Sequence, residues 1–292
     1  MPTYGLQQTH DARVADIVRP GCLRVALFLP QYTTDPVTGE LSATPVFRDI
    51  ARALADRIGV ETVLMGYQNP REVVECLKPN ACDVAFMVPD KSRVDEIGFS
   101  HPVIESDLTC LVPVDSSICC MADADRAGVS IVAVRNHAST LALSRILKQA
   151  VVVTAETPDA AFALLRSGYS NAMASARSVL LEYSAKLPEA RVLRDRYGFQ
   201  LLAMAVPKDK TEWLTYVCEF VEEAKASGFV QRIIERAGRT GLQVAPLTNP
   251  TVKKLNFEEA FNLHYHSSKH AQNTRLSIAL MAIEPCLNPT LL

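Results

Sequence analysis

Short apolar runs of strand length alternate with capped segments of helix length, and this alternation most limits what the chain can fold into. Helix N-cap signals stand at Thr44-Pro45 and at Asn69-Pro70, between the apolar runs. The first predicted strands cover residues 23–29, 61–67 and 83–88. Strand, helix, strand, helix, strand in this order predicts a parallel α/β sheet with crossover helices.

The same alternation starts again near residue 130 and indicates a second α/β unit inserted into the first. Two extended runs, around 108–114 and 201–206, are then the strands that connect the units. The prediction is an α/β protein of two lobes joined by two crossover strands that form a hinge, with a cleft between the lobes. The predicted parts are a leader (1–20), lobe 1 (21–111 and 204–246), lobe 2 (112–203) and a tail of uncertain structure (247–292).

The overall composition argues against several classes of partner. The chain is 48% hydrophobic and 21% charged, with a formal net charge of -2 and no large basic block, so nucleic acid is not expected. No apolar run reaches the length of a membrane span, so no membrane insertion is expected. The first twenty residues lack the pattern of a secretory signal, and the eight cysteines form no C-x-x-C pair. These features favour a cytoplasmic protein with free thiols as the chain stands, or a periplasmic one if its true start lies upstream.

Arg93 is the first candidate for a binding residue. It stands just past the predicted strand that ends before Pro89-Asp90. Open α/β sheets place their ligands beyond the carboxyl ends of strands, and a guanidinium can hold a carboxylate with two parallel hydrogen bonds. A lone arginine is more often a solvated surface residue, so the position alone does not decide between these interpretations.

Longer stretches carry a resemblance to a known family. GCLRVAL, VFRDIARALADRIGV, DVAFMVPDKSRVDEIGFSHPV, the NHAST loop and KASGFVQRIIERAG together span roughly residues 20–245. Their order resembles the type II periplasmic-binding-protein fold, and specifically the family 3 solute-binding proteins of polar amino acid transporters. Arg93 stands six residues before Phe99-Ser100, as in that family. The resemblance implies that Arg93 binds the ligand's α-carboxylate and that an ABC transporter permease is a possible partner.

A second matching site is the loop before the predicted helix 139–149. Where the family has Gly-Ser-Thr, this chain has Ala138-Ser139-Thr140. Amides and hydroxyls at this helix N-terminus would share the carboxylate with Arg93, although Ser139 could equally be a simple N-cap.

The chain also departs from the family pattern. The family's Asp for the ligand's α-amino group corresponds to Ala176, followed by Arg177. A buried ammonium without a partner is costly, so an ordinary α-amino acid is less expected, and Arg177 would favour a second negative group. Asp90 replaces a hydroxyl residue, and it would either orient Arg93 or meet a cationic part of the ligand.

Two further residues are weaker ligand-binding candidates, and two functions remain open. Glu105 lies near the predicted hinge, and Tyr32, next to Gln31, follows the first strand. The first function is a receptor that traps a small carboxylate, amino-acid-like or an organic acid, without chemistry. The alternative is a cyclohexadienyl dehydratase-like enzyme on the same fold, with Glu105 as the acid.

The tail after Pro246 has no counterpart in the resemblance. It carries His264, His266 and His270, but a metal site would need a further ligand and a fixed geometry. A solvated tail is the simpler interpretation, and no metal and no cofactor are predicted.

Overall fold

Strands and helices alternate along the described part of the chain, which in this computed structural model comprises residues 11–90, 92–238 and 240–248. The strands are β1 (Cys22–Phe28), β2 (Tyr32–Thr34), β3 (Leu41–Ala43), β4 (Glu61–Tyr67), β5 (Val84–Met87), β6 (Ile97–Pro113), β7 (Ser130–Val134), β8 (Val151–Ala155), β9 (Ala172–Ala176), β10 (Ala190–Val192), β11 (Gly198–Pro207) and β12 (Leu242–Val244). The helices are α1 (Ala15–Val18), α2 (Pro45–Ile58), α3 (Pro70–Leu77), α4 (Met121–Ala124), α5 (Ala138–Ile146), α6 (Pro158–Arg166), α7 (Arg177–Lys186), α8 (Thr211–Ala226) and α9 (Phe229–Arg236). Within these residues, no helix combines the length and apolarity that crossing a membrane requires.

The helix boundaries follow the capping signals in the sequence. α2 begins at Pro45 and ends at Ile58, and it is followed by Gly59, whose φ of 74° is the left-handed conformation that favours glycine at this position. The side chain of Asn69 accepts hydrogen bonds from two backbone amides in the first turn of α3. The predicted starts of both helices are therefore confirmed.

The two long strands β6 and β11 pass through both lobes. In the first lobe β4, β1 and β5 are parallel, and β11 lies antiparallel between β5 and β6. In the second lobe β8, β7 and β9 are parallel, and β9 pairs with the far end of β6. β6 has 17 residues and, at about 3.3 Å per residue, is long enough to serve both lobes. The hydrogen-bonded sheet is continuous because β6 belongs to both halves.

β6 begins earlier than the predicted extended run around 108–114, so the Phe99-Ser100 motif is part of the strand. The hydroxyl of Ser100 donates to the carbonyl of His101 and accepts from the amide of Met204, at 2.7 and 3.0 Å. The register between β6 and β11 shifts beside this contact. Ser100 therefore supports an irregular strand pairing near the hinge.

Buried apolar side chains form four clusters, two on the faces of each lobe's strands. Val14 and Ile17 belong to a first-lobe cluster, so residues 11–18, which the sequence analysis assigned to a leader, pack on lobe 1. The histidines at 264, 266 and 270 lie outside the described residues.

Candidate ligand-binding site

A cavity lies where the loops after β1 and β5 meet the first turns of α5 and α7. The hinge strands β6 and β11, together with the short strand β12, form its floor. It contains about 890 Å³ of space free of protein atoms, part of which opens to solvent. Much of its wall is apolar and is supplied by Phe28, Phe47, Val88, Val179 and Leu202. A cavity of this kind, with a few polar groups, is what small-molecule sites share.

Arg93 lines this cavity, at the place predicted for a residue beyond β5. Its Nη1 donates to the carbonyl of Val88 at 3.3 Å, and its Nη2 donates to the carbonyl of Asn136 at 3.1 Å. Asn136 belongs to the second lobe, so Arg93 bridges the cleft. Burial lowers the pKa of Arg93 and the charge of Asp90 opposes this, but an arginine remains charged at neutral pH. Among the described residues, no carboxylate forms an ion pair with it.

The loop before α5 brings its backbone and side chains to the cavity. Ala138 and Ser139 line the wall, and the hydroxyl of Tyr197 donates to the carbonyl of Ser139 at 3.2 Å. The hydroxyl of Thr140 instead donates to the carbonyl of Val134 at 2.6 Å, which makes Thr140 a support of the loop. Of the two predicted hydroxyls, only that of Ser139 belongs to a cavity-lining residue.

His137, the residue before α5, lines the cavity but was not among the binding residues predicted from the sequence. Its ring packs edge-on against Phe28 of the first lobe, with ring centroids 5.7 Å apart. Burial, followed by the charge of Arg93, lowers the pKa of His137 to about 4. The imidazole is therefore neutral at pH 7, with one nitrogen as donor and the other as acceptor. The one available signal was its place within the NHAST loop.

Arg177 does not line the cavity, contrary to the expectation that it would favour a second negative group there. Its guanidinium donates to the carbonyls of Leu193, Arg194 and Asp195 at 2.7 to 3.0 Å, and its Nε lies 3.4 Å from Asp107 Oδ2. These partners hold the chain that leads into β11. The expected ligand contact is corrected to a structural role, because the donors of Arg177 are engaged away from the cavity.

Glu105 also lies outside the cavity. Its neighbours Ile104 and Ser106 line the wall, and successive side chains of a strand point to opposite faces. The carboxylate of Glu105 accepts from Arg196 Nη1 at 3.3 Å. The dehydratase alternative depended on Glu105 as its acid, and that residue is not placed to reach a ligand in this cavity.

Asp90 and Tyr32 are likewise placed beside the cavity instead of in its wall. The Asp90 carboxylate accepts from the amide and hydroxyl of Ser92 at 3.0 and 2.7 Å, and it forms no ion pair with Arg93. The hydroxyl of Tyr32 donates to the carbonyl of Tyr67, and its ring belongs to a first-lobe core cluster. Gln31 does line the cavity, with its amide nitrogen bonded to the carbonyl of Phe86 at 2.8 Å.

The first turns of α7 supply the rest of the second-lobe wall. Ala176 lines the cavity at the position where the resemblance placed an ammonium-binding Asp. Ser175 and Ser178 flank it, and Glu182 follows one turn of α7 later, where it is exposed to solvent. These side chains became candidates only through the tertiary structure. In the part of the chain that the structure describes, no group of three His, Cys, Asp or Glu side chains could hold a metal.

Two lobes, two hinge strands and a cavity with an arginine in its wall define the class of two-lobed ligand-binding proteins. Residues 47–239 match the family of bacterial extracellular solute-binding proteins, family 3, and the chain belongs to that family. Membership confirms the resemblance stated from the sequence.

Solved structures share the fold, and curated proteins share part of the sequence. An ancestral amino acid-binding protein, AncCDT-1, described as a precursor of cyclohexadienyl dehydratase, is 24% identical and has a TM-score of 0.66, covering 76% of this chain and 96% of that one. A solute receptor for L-cysteine of Neisseria gonorrhoeae is 19% identical, with a TM-score of 0.68 and coverage of 80% and 99%. The virulence sensor protein BvgS of Bordetella bronchiseptica is 24% identical over 220 residues, which are 73% of this chain but 17% of that protein. The chain thus spans about a sixth of the length of the curated relatives it matches.

Proposed function

We propose that this protein is a receptor that traps a small carboxylate, amino-acid-like or an organic acid, between its lobes, with the guanidinium of Arg93 as the anchor. The observation that supports this is an arginine in a cavity wall whose hydrogen bonds, among the residues that the structure describes, go to two backbone carbonyls and to no carboxylate. Five N–H donors belong to a guanidinium, so Arg93 retains capacity for a ligand's oxygen atoms. The amides and hydroxyl at the start of α5 lie in the same wall and would share the negative charge.

The proposed receptor closes its two lobes around the ligand when it binds. Arg93 already reaches across the cleft to Asn136, and Phe28 contacts His137 across it. A ligand that adds bonds to both lobes would favour the closed arrangement over an open one. Small-angle X-ray scattering of the protein with and without ligand would detect that change.

We propose that the bound molecule is passed to an ABC transporter permease, in keeping with the family. A sensing role is the second candidate, and the curated relatives named as virulence sensors favour it. A transport role predicts that the purified chain binds its permease more tightly when loaded with ligand. Either role requires binding without chemistry, so incubation with prephenate or arogenate should release no dehydrated product.

The anchor is tested by calorimetric titration of amino acids, hydroxy acids, keto acids and dicarboxylates into the wild-type protein and two variants. Arg93→Ala should weaken any carboxylate hit by about 100-fold, since charged hydrogen bonds contribute about 1.5–3 kcal/mol. Arg52→Ala is the control, because Arg52 is 77% exposed on α2 and pairs only at 4.0 Å with Asp56. A hit with equal affinity for both variants would show that Arg93 is not the anchor.

A further inference from the structure

Two polar atoms in the cavity wall are buried without a hydrogen-bond partner among the described residues. They are the hydroxyl oxygen of Ser106 and Nε2 of His137, in side chains 1% and 9% exposed. Buried polar groups in folded proteins almost always have a partner, because an unsatisfied group costs free energy. Two such atoms in one cavity indicate a ligand group that satisfies them.

These two atoms come from different parts of the fold. Ser106 lies on the hinge strand β6, opposite Gln200 of β11 and Leu242 of β12, which also line the cavity. His137 lies in the second lobe at the start of α5, and its ring is positioned by Phe28 of the first lobe. A ligand atom bonded to both would therefore join the hinge to the second lobe.

The charges around the two atoms select against a cation. His137 is neutral and Ser106 is uncharged, while Arg93 places a positive charge in the same wall. Ala176 offers no counter-charge, so a buried ammonium would lose its hydration without an ionic partner. Glu182 lines the cavity but is solvent-exposed, and an exposed carboxylate holds an ammonium weakly. A hydroxyl or carbonyl oxygen, in contrast, can bond to a hydroxyl and a neutral imidazole together.

We propose that Ser106 and His137 form a specificity pair for an uncharged oxygen of the ligand, so that the preferred ligand is a hydroxy or oxo carboxylate that lacks an α-ammonium. This inference rests on the proposed function, because Arg93 must hold the carboxylate of the same molecule. It deepens that function by naming the class of acid.

The test uses matched acids that differ at one atom. The 2-amino, 2-hydroxy, 2-oxo and unsubstituted forms of 4-methylpentanoate and of 3-phenylpropanoate are titrated calorimetrically into the full chain. The 2-hydroxy or 2-oxo acid should have at least about tenfold higher affinity than the unsubstituted acid and the 2-amino acid of the same skeleton. This is the difference expected when one to two hydrogen bonds are gained.

Variants then assign the preference to the two side chains. Ser106→Ala and His137→Gln should each reduce this preference, the ratio of the affinities for the oxygenated and the unsubstituted acid, at least severalfold. Ser167→Ala is the matched control, since Ser167 is exposed at the end of α6 and its hydroxyl donates to Leu164. Because Ser106→Ala removes one unsatisfied oxygen, its melting temperature should not fall, which keeps the test independent of folding.

The outcomes separate this inference from the proposed function. Binding that depends on Arg93 but shows no preference for the oxygen, or that favours the amino acids and is lost in Glu182→Gln, would overturn the specificity pair alone. A panel without any Arg93-dependent binding would overturn the proposed function and this inference with it.

Discussion

The neutral, buried state of His137 predicts a specific dependence of stability on pH. Its pKa is lowered from 6.5 to about 4 in the folded protein, first by burial and second by the charge of Arg93. In the unfolded chain the imidazole binds a proton as the pH falls below 6.5, whereas in the folded protein it does so only near pH 4. Acid therefore favours the unfolded state throughout this window, and stability rises with pH across it.

The size of the change in unfolding free energy follows from the pKa shift of His137. At 1.36 kcal/mol per pKa unit, a difference of about 2.5 units corresponds to roughly 3 kcal/mol of unfolding free energy, lost between pH 6.5 and pH 4. Carboxyl groups such as Asp90 and Asp125, whose pKa values lie below 3.8, lose their favourable contribution mostly at lower pH. The histidine therefore dominates the upper part of the window, whereas Glu96 and Glu223, whose pKa values are lowered from 4.5 by their ion pairs, also contribute near pH 4.

Urea unfolding at intervals between pH 4 and pH 7.5 measures the effect in the wild type and in His137→Gln. The glutamine variant keeps a polar side chain but cannot titrate. Between pH 6.5 and pH 4 its unfolding free energy should therefore decrease by roughly 3 kcal/mol less than that of the wild type. Parallel curves for the two proteins would refute the reasoning and show that His137 is hydrated in solution.

Three substitutions test other parts of the structure. Gly66→Ala should lower the unfolding free energy by about 1–3 kcal/mol in urea titrations, because its Cβ would lie 2.9 Å from Tyr32 Cζ. Arg177→Met should lower the unfolding free energy by about 3 kcal/mol, because Asp107 and three backbone carbonyls lose a donor. Ligand affinity should stay within about twofold, and a loss of binding would show that Arg177 belongs to the site. Ser106→Ala should raise the melting temperature of the ligand-free protein by a few degrees, and a lower value would mean that its hydroxyl is already satisfied.

The position of Arg93 beyond the end of β5 was predictable from local sequence signals. The apolar run of β5 is short, buried and ended by Pro89-Asp90, so the residues after it had to lie at the carboxyl edge of the sheet. Helix starts were equally readable, since the N-cap side chain of Asn69 acts within its own turn. Such signals depend on residues a few positions apart, and they are complete in the sequence.

The identity of the other wall residues depended on contacts between distant segments. Whether Glu105 or Ser106 faces the cavity is decided by the register of β6 against β11, where a shift of one residue exchanges the two faces. Arg177 was close in sequence to the cavity, but the carbonyls of 193–195 hold its guanidinium elsewhere. The sequence alone thus determined the order of elements and the position of Arg93, because periodicity and capping act locally. Only the tertiary structure decided which polar atoms share the cavity, because burial and partner choice depend on how distant elements pack.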